Sequence, residues 1–270
     1  MTRIRPAAVA DMFYPGQASI LARDVADMLN EARARPGAAG SLPKAVIVPH
    51  AGYVYSGPIA ATAYTRLASG RGVISRVVLL GPVHRVPVRG LALPGADAFA
   101  TPLGTVPVDA EAMAAIRGLP QVVVSAPAHA LEHSLEVQLP FLQTVLGDFK
   151  LLPLAVGDAS AEEVAEVLDL LWGGPETLIV VSSDLSHYLP YATARQVDAE
   201  TSRRILDLRV DIRHDQACGG TPVNGLLLAA RRHSLSPELL DLRNSGDTAG
   251  DRARVVGYAA FAFLELPHVR

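Results

Sequence analysis

The chain has one cysteine, Cys218, so no intrachain disulfide can form, which fits a reducing compartment. It has no lysine- or arginine-rich run, and its formal net charge is -3, which argues against nucleic acid as a partner. It has no apolar stretch long enough to cross a bilayer. The longest, around residues 255–264, is interrupted by Gly257. The first residues, MTRIRPAAVADMFYPG, lack the apolar centre of a secretory signal. A cytoplasmic protein without membrane association is expected. Internal repeats, low-complexity tracts and an interdomain linker are also missing. The Pro/Gly-rich patches at 35–43 and 94–104 are short and lie between periodic segments. The 270 residues, half of them hydrophobic, can bury a large core, and a single domain over 1–270 is expected.

What is present is a set of short, wholly apolar runs. Ala45-Val46-Ile47-Val48, Arg76-Val77-Val78-Leu79-Leu80 and Leu178-Ile179-Val180-Val181 are β-branched and leucine-rich without polar alternation. This is the pattern of strands covered on both faces. Helical periodicity separates them. One helix is expected over 19–34, with Ile20, Leu21, Val25, Met28, Leu29 and Ala32 on one face. Others are expected over 58–67, from Asp109 to Arg117, over 131–146 with a kink at Pro140, from a Ser160/Glu163 capping box to Leu171, over 192–208, and from a Thr221 cap with Pro222 in the first turn. Shorter strands are expected at 91–93, after a turn within 101–108, at 122–124 and at 151–156, the last near an edge because of Pro153. Strands at 239–243 and 255–264 close the chain. The alternation predicts a three-layer α/β domain with a mostly parallel central sheet and antiparallel edges.

Each of the three apolar runs ends in a histidine. Pro49 stops the first and His50 follows. Gly81-Pro82 ends the second and His84 follows. The third continues into Ser182-Ser183-Asp184-Leu185-Ser186-His187. In parallel strands these imidazoles meet at the carboxyl rim, where open α/β sheets place their chemistry. His50 and His84 are the natural metal pair. Cys218 sits beside two glycines before an expected helix start, a position that favours thiolate, although a lone cysteine is also a common inert core residue. Two imidazoles and a thiolate form a three-ligand set suited to iron, zinc or copper. His187 is either a fourth ligand or an acid/base group, with Asp184 placed to orient its ring or simply to close a turn. Glu132-His133-Ser134 is a third polar cluster, at an expected helix start, where capping explains the serine and the glutamate. His129, His214, His233 and His268 stand in polar or terminal contexts and are expected at the surface. Tyr53 and Tyr55 either line a pocket for an aromatic ligand or pack.

PHAGYVYSG, GPVHR, EHSLEVQLPFL, VSSDLSHY, the CGG at Cys218 and NSGD followed by VVGYAA occur in this order from about Phe13 to Phe263. Together they resemble the MEMO family, named for the mediator of ErbB2-driven cell motility, whose prokaryotic members are called AmmeMemoRadiSam system protein B. The resemblance implies a fold related to class III extradiol dioxygenases and a mononuclear metal, iron(II) first, with copper or zinc as alternatives. It puts the metal ligands on His50, His84 and Cys218, the acid/base on His187, and Asp184 and His133 in the same pocket. It also implies radical-SAM and AMMECR1-type partner proteins. The dioxygenases use a carboxylate where this chain offers Cys218, a softer and more oxidisable ligand, so efficient ring cleavage is not expected.

Three functions compete at this point. The first is metal-dependent redox chemistry on a small molecule or a peptide. The second is a non-catalytic module that binds a peptide or partner. The third is metal-free hydrolysis by Cys218 and His187, which lacks an evident oxyanion hole.

Overall fold

The structure is a computed structural model that describes residues 2–265. In chain order its elements begin with β1 (Ile4–Arg5), α1 (Ala18–Arg33), β2 (Ala45–Val48), α2 (Tyr53–Arg66) and β3 (Arg76–Pro82). There follow β4 (Leu91–Leu93), β5 (Ala98–Thr101), β6 (Gly104–Pro107), α3 (Ala110–Ile116), β7 (Val122–Val124) and α4 (Ala126–Ala130). The remainder are α5 (Leu139–Leu146), β8 (Lys150–Val156), α6 (Ala161–Leu170), β9 (Thr177–Ser182), β10 (His187–Leu189), α7 (Tyr191–Leu206), α8 (Gly220–Arg232), β11 (Leu235–Asn244) and β12 (Val255–Glu265).

The main sheet has nine strands among the described residues, and its centre is the parallel run β2-β9-β3-β8. Antiparallel β12 joins β2 on one side and carries β10 and β11; antiparallel β4 joins β8 on the other and carries β7. A second sheet, β1-β5-β6, lies apart. The apolar runs divide by the period of two. Val46, Val48, Val77, Leu79 and Val180 face the cluster built with α1, α2 and α5. Ala45, Ile47, Val78, Leu80 and Val181 face the cluster built with α3, α6 and α8. The expected three layers, parallel centre and antiparallel margins are therefore observed.

Several local expectations need correcting. Near the start of the chain, where no strand is expected, β1 pairs in parallel with β5. Residues 131–138 are not α-helical. Pro140 stands in the first turn of α5, where its missing N–H costs nothing, so it starts the helix rather than kinking one. Helix α2 begins at Tyr53, ahead of the expected start at Pro58, which lies inside it. Helix α8 begins at Gly220, capped by Gly219, ahead of the expected Thr221 cap. Strand β8 is internal, between β3 and β4. Pro153 is tolerated because the Leu151 carbonyl and, two residues on, the Pro153 nitrogen face the same side, and β4 pairs there only with Ala155 and Val156.

One buried carboxylate fastens the N-terminal segment onto this frame. Glu136 is fully buried, pairs with the buried Arg5 guanidinium, and accepts from the N–H groups of Ala8 (2.8 Å) and Val9 (3.0 Å) and from the Tyr14 hydroxyl. That clamp brings Phe13 to the His133 ring, centroids 4.7 Å apart. Glu136→Ala leaves a buried guanidinium without its counter-charge. It should cost about 3–5 kcal/mol, measured by urea unfolding. A loss under about 1 kcal/mol would show that the segment is held by other contacts.

Candidate metal centre

His50 leaves the end of β2 and His84 follows β3, the two strands that flank β9, and the two rings meet with centroids 5.2 Å apart. The ring that completes the triplet is His133, from the turn before α5, 5.3 Å from His50 and 4.6 Å from His84. One ring nitrogen from each of the three lies within 4.8 Å of the others. His187 lines the same cavity but lies outside this triplet. Cys218 also lies outside it, yet its Sγ is 3.2 Å from His50 Nε2.

The back of each ring determines what its front offers. The Ser182 hydroxyl donates to the Ser134 carbonyl (2.6 Å) and accepts from Gln138 Nε2 (2.8 Å). With its single proton committed, Ser182 accepts from His50 Nδ1–H at 2.9 Å, which leaves the lone pair on Nε2, beside Cys218. Glu132 does the same for His84. Its carboxylate accepts the ring Nδ1–H at 2.9 Å and the backbone N–H at 2.7 Å. Burial would raise the Glu132 carboxyl, but the hydrogen bonds from His84 and Ser134 outweigh it and hold the group at about 2, so it is an anion. Glu132 is thus no helix cap. It orients a histidine, and sequence spacing gives no sign of that because the partners are 48 residues apart.

Burial keeps His50 well below the ordinary imidazole range and His133 at about 4. Both are neutral near pH 7, the form that binds metal. Cys218 behaves opposite to the expectation of a lowered thiol. Burial, aided by the Asp184 charge, pushes it up to about 12 despite the adjacent start of α8. It is a thiol that donates to His50 Nε2.

Asp184 does not orient His187. Its Oδ1 accepts the His50 backbone N–H at 2.7 Å, and burial pushes its carboxyl up to about 6. The His187 ring instead gives Nδ1–H to the Leu185 carbonyl at 2.8 Å, which leaves its Nε2 as a base. The cavity of about 820 Å³ that holds His50, His84, His133, Asp184 and His187 is walled by Phe13, Tyr55, Tyr188 and Tyr258. A second depression, about 850 Å³, carries Cys218 and shares His84 and His187 with the first. Tyr55 therefore lines the pocket. Tyr53 packs, its hydroxyl donating to the Val137 carbonyl. His214 and His233 are exposed as expected. His129 is buried and bonded to the Ala92 carbonyl, and His268 lies outside the described residues.

The family profile described as Memo-like protein matches residues 5–262. The chain belongs to this family. A MEMO1 family protein of Aquifex aeolicus is 36% identical over 97% of this Memo-like chain and 100% of its own length. Those of Methanopyrus kandleri (36%) and Ignicoccus hospitalis (34%) each cover 96% of this chain and 98% of their own. The crystal structure of an uncharacterized protein from Escherichia coli K12 shares the fold. Its TM-score is 0.54 at 13% identity, covering 80% of this chain and 98% of that one. Among the described residues of this Memo-like chain, no helix is long and apolar enough to cross a membrane.

The segment between Asp184 and His187 is held from behind. Ser186 N–H donates to Asp198 Oδ1 at 3.0 Å, and Ser186 O accepts from Gly257 N–H at 2.8 Å. Only glycine fits at 257, because a Cβ there would lie 2.0 Å from Asp198 Oδ2. Burial pushes the Asp198 carboxyl up to about 6 against the hydrogen bonds from Ser186. The unfolded carboxyl titrates near 3.8, so the folded state is penalised above about pH 6 and the penalty disappears below about pH 4. Asp198→Asn keeps an acceptor for Ser186. It should therefore stabilise the protein by roughly 2–3 kcal/mol at pH 7.5 and by almost nothing at pH 4. Equal effects at both values would mean that Asp198 is not a strained anion.

Proposed function

We propose that this Memo-like chain binds one metal ion, iron(II) first with copper or zinc as alternatives, through His50, His84 and Cys218, and uses it for redox chemistry on a small molecule or peptide. The observation that carries this reading is the arrangement of the two imidazoles. Ser182 and Glu132 occupy the Nδ1 side of His50 and His84, and the His50 Nε2 lone pair lies 3.2 Å from the cysteine sulfur. A bound ion would supply Lewis acidity and, for iron or copper, one-electron chemistry. Of the chain's own groups, His187 Nε2 takes a proton from a ligand in the cavity and returns it. The Leu185 carbonyl keeps that ring in the required tautomer. Phe13, Tyr55 and Tyr188 form the wall that restricts water and suits a planar or apolar ligand.

A second ligand set, His50, His84 and His133, is favoured by the mutual approach of their ring nitrogens. The two sets separate by mutation. Protein purified without chelator should contain metal, and His50→Ala and Cys218→Ala should lose it while keeping a cooperative melt. His133→Ala should retain the ion; retention in Cys218→Ala with loss in His133→Ala would favour the three-histidine set. Full occupancy in both His50→Ala and Cys218→Ala would end the proposal.

His187→Ala should keep the ion and slow turnover by about 10²–10⁴-fold. Oxygen uptake with iron(II) and a panel of catechols is the first assay, and little cleavage is expected. Fast catechol cleavage abolished in His187→Ala would instead place the chain with ring-cleaving enzymes. Intact metal with no turnover of any ligand that binds would favour a binding module.

A further inference from the structure

Beside the metal cavity lies a depression of about 670 Å³ between the N-terminal segment, α1 and the first turn of α2. Its apolar residues are unusually open for large side chains: Met12 is 68% exposed, Val54 64% and Tyr55 39%. An exposed apolar patch of this kind marks an interaction site more often than chance. The charge around it has one sign. Asp11, Asp24 and Asp27 line it, and among the described residues no lysine, arginine or histidine does. Asp24 meets the exposed Arg23 at 3.2 Å, a solvent-screened pair that leaves the rim acidic. Asp24, Asp27 and Met28 fall on one side of α1 by their spacing of three and four. Gly57 lets that side close on α2, since a Cβ there would lie 2.5 Å from Met28 Sδ. The patch adjoins the metal cavity, with Phe13, Gly52 and Tyr55 lining both.

We infer that this depression docks a polypeptide segment bearing an apolar side chain next to lysine or arginine, and that docking delivers the neighbouring residue past Tyr55 into the metal cavity. Charge complementarity selects this occupant. Anionic lipid and nucleic acid are repelled by the carboxylates. A second copy meeting through the same patch sets carboxylates against carboxylates. Two adjoining depressions suit an extended chain better than one compact ligand. The delivery step deepens the function proposed above by naming its substrate class and rests on that reading, whereas the docking step does not.

The test uses the full chain and a random dodecapeptide library displayed on phage. Selection should enrich leucine, phenylalanine or tryptophan beside lysine or arginine. The enriched peptide, synthesised with a fluorescein label, should bind by polarisation. Binding should fall about tenfold or more in Met12→Ser/Val54→Ser and in Asp24→Asn/Asp27→Asn, and stay unchanged in the distant surface variant Glu162→Gln. No enrichment, an acidic consensus, or equal binding by all variants would overturn the inference. So would a dimer in sedimentation that dissociates in Met12→Ser/Val54→Ser. The same titration on His50→Ala separates the two claims. Undiminished binding there keeps the dock even if the metal reading fails, and metal-loaded protein without a dock removes only the dock.

Discussion

The hydrogen bonds behind His50 and His84 are the constraint on which the rest of this site depends. An imidazole offers one lone pair, and its position is set by the partner on the other nitrogen. Ser182 fixes His50 because its proton is already committed to the Ser134 carbonyl, and the ionised Glu132 fixes His84. Both partners belong to the scaffold. Ser182 is the last residue of β9, and Glu132 lies in the turn that α5 and the Glu136 clamp hold in place. The layered fold therefore supplies the angles of the rings as well as their location.

Electrostatics divides the site in two. Burial keeps the His50 and His133 imidazoles neutral and the Cys218 thiol protonated, while Glu132 is an anion sustained by hydrogen bonds. A cation entering this space finds neutral nitrogen donors, a thiol whose proton it can displace, and a negative charge one bond behind His84. With Cys218 as a ligand, as proposed, metal uptake and thiol deprotonation would be a single event.

The parallel centre of the sheet was legible because the runs ending at Val48, Leu80 and Val181 have no polar alternation, and only strands covered on both faces tolerate that. The convergence of His50 and His84 followed from parallel strands ending at one rim. Glu132 reads as a cap because capping is local, whereas its true partner, His84, comes from a distant part of the chain; His133 stands in the pocket, as the resemblance implies. Asp184 was assigned to His187, three residues away, yet it serves His50, which the fold brings closer. Cys218 was read from its helix-end position, but burial outweighs the helix end. Pro140 and Pro153 misled for a related reason. A proline's cost depends on whether its missing N–H had a partner, and only the surrounding strands and turns decide that.

The proposed ligand set is tested most directly by the atoms around the ion in loaded protein. X-ray absorption at the metal edge of the iron(II)-loaded protein reads them. The arrangement predicts a shell of imidazole nitrogens with one sulfur, and loss of the sulfur signal in Cys218→Ser. A shell of oxygen alone, or a spectrum with no sulfur in the native protein, would contradict it.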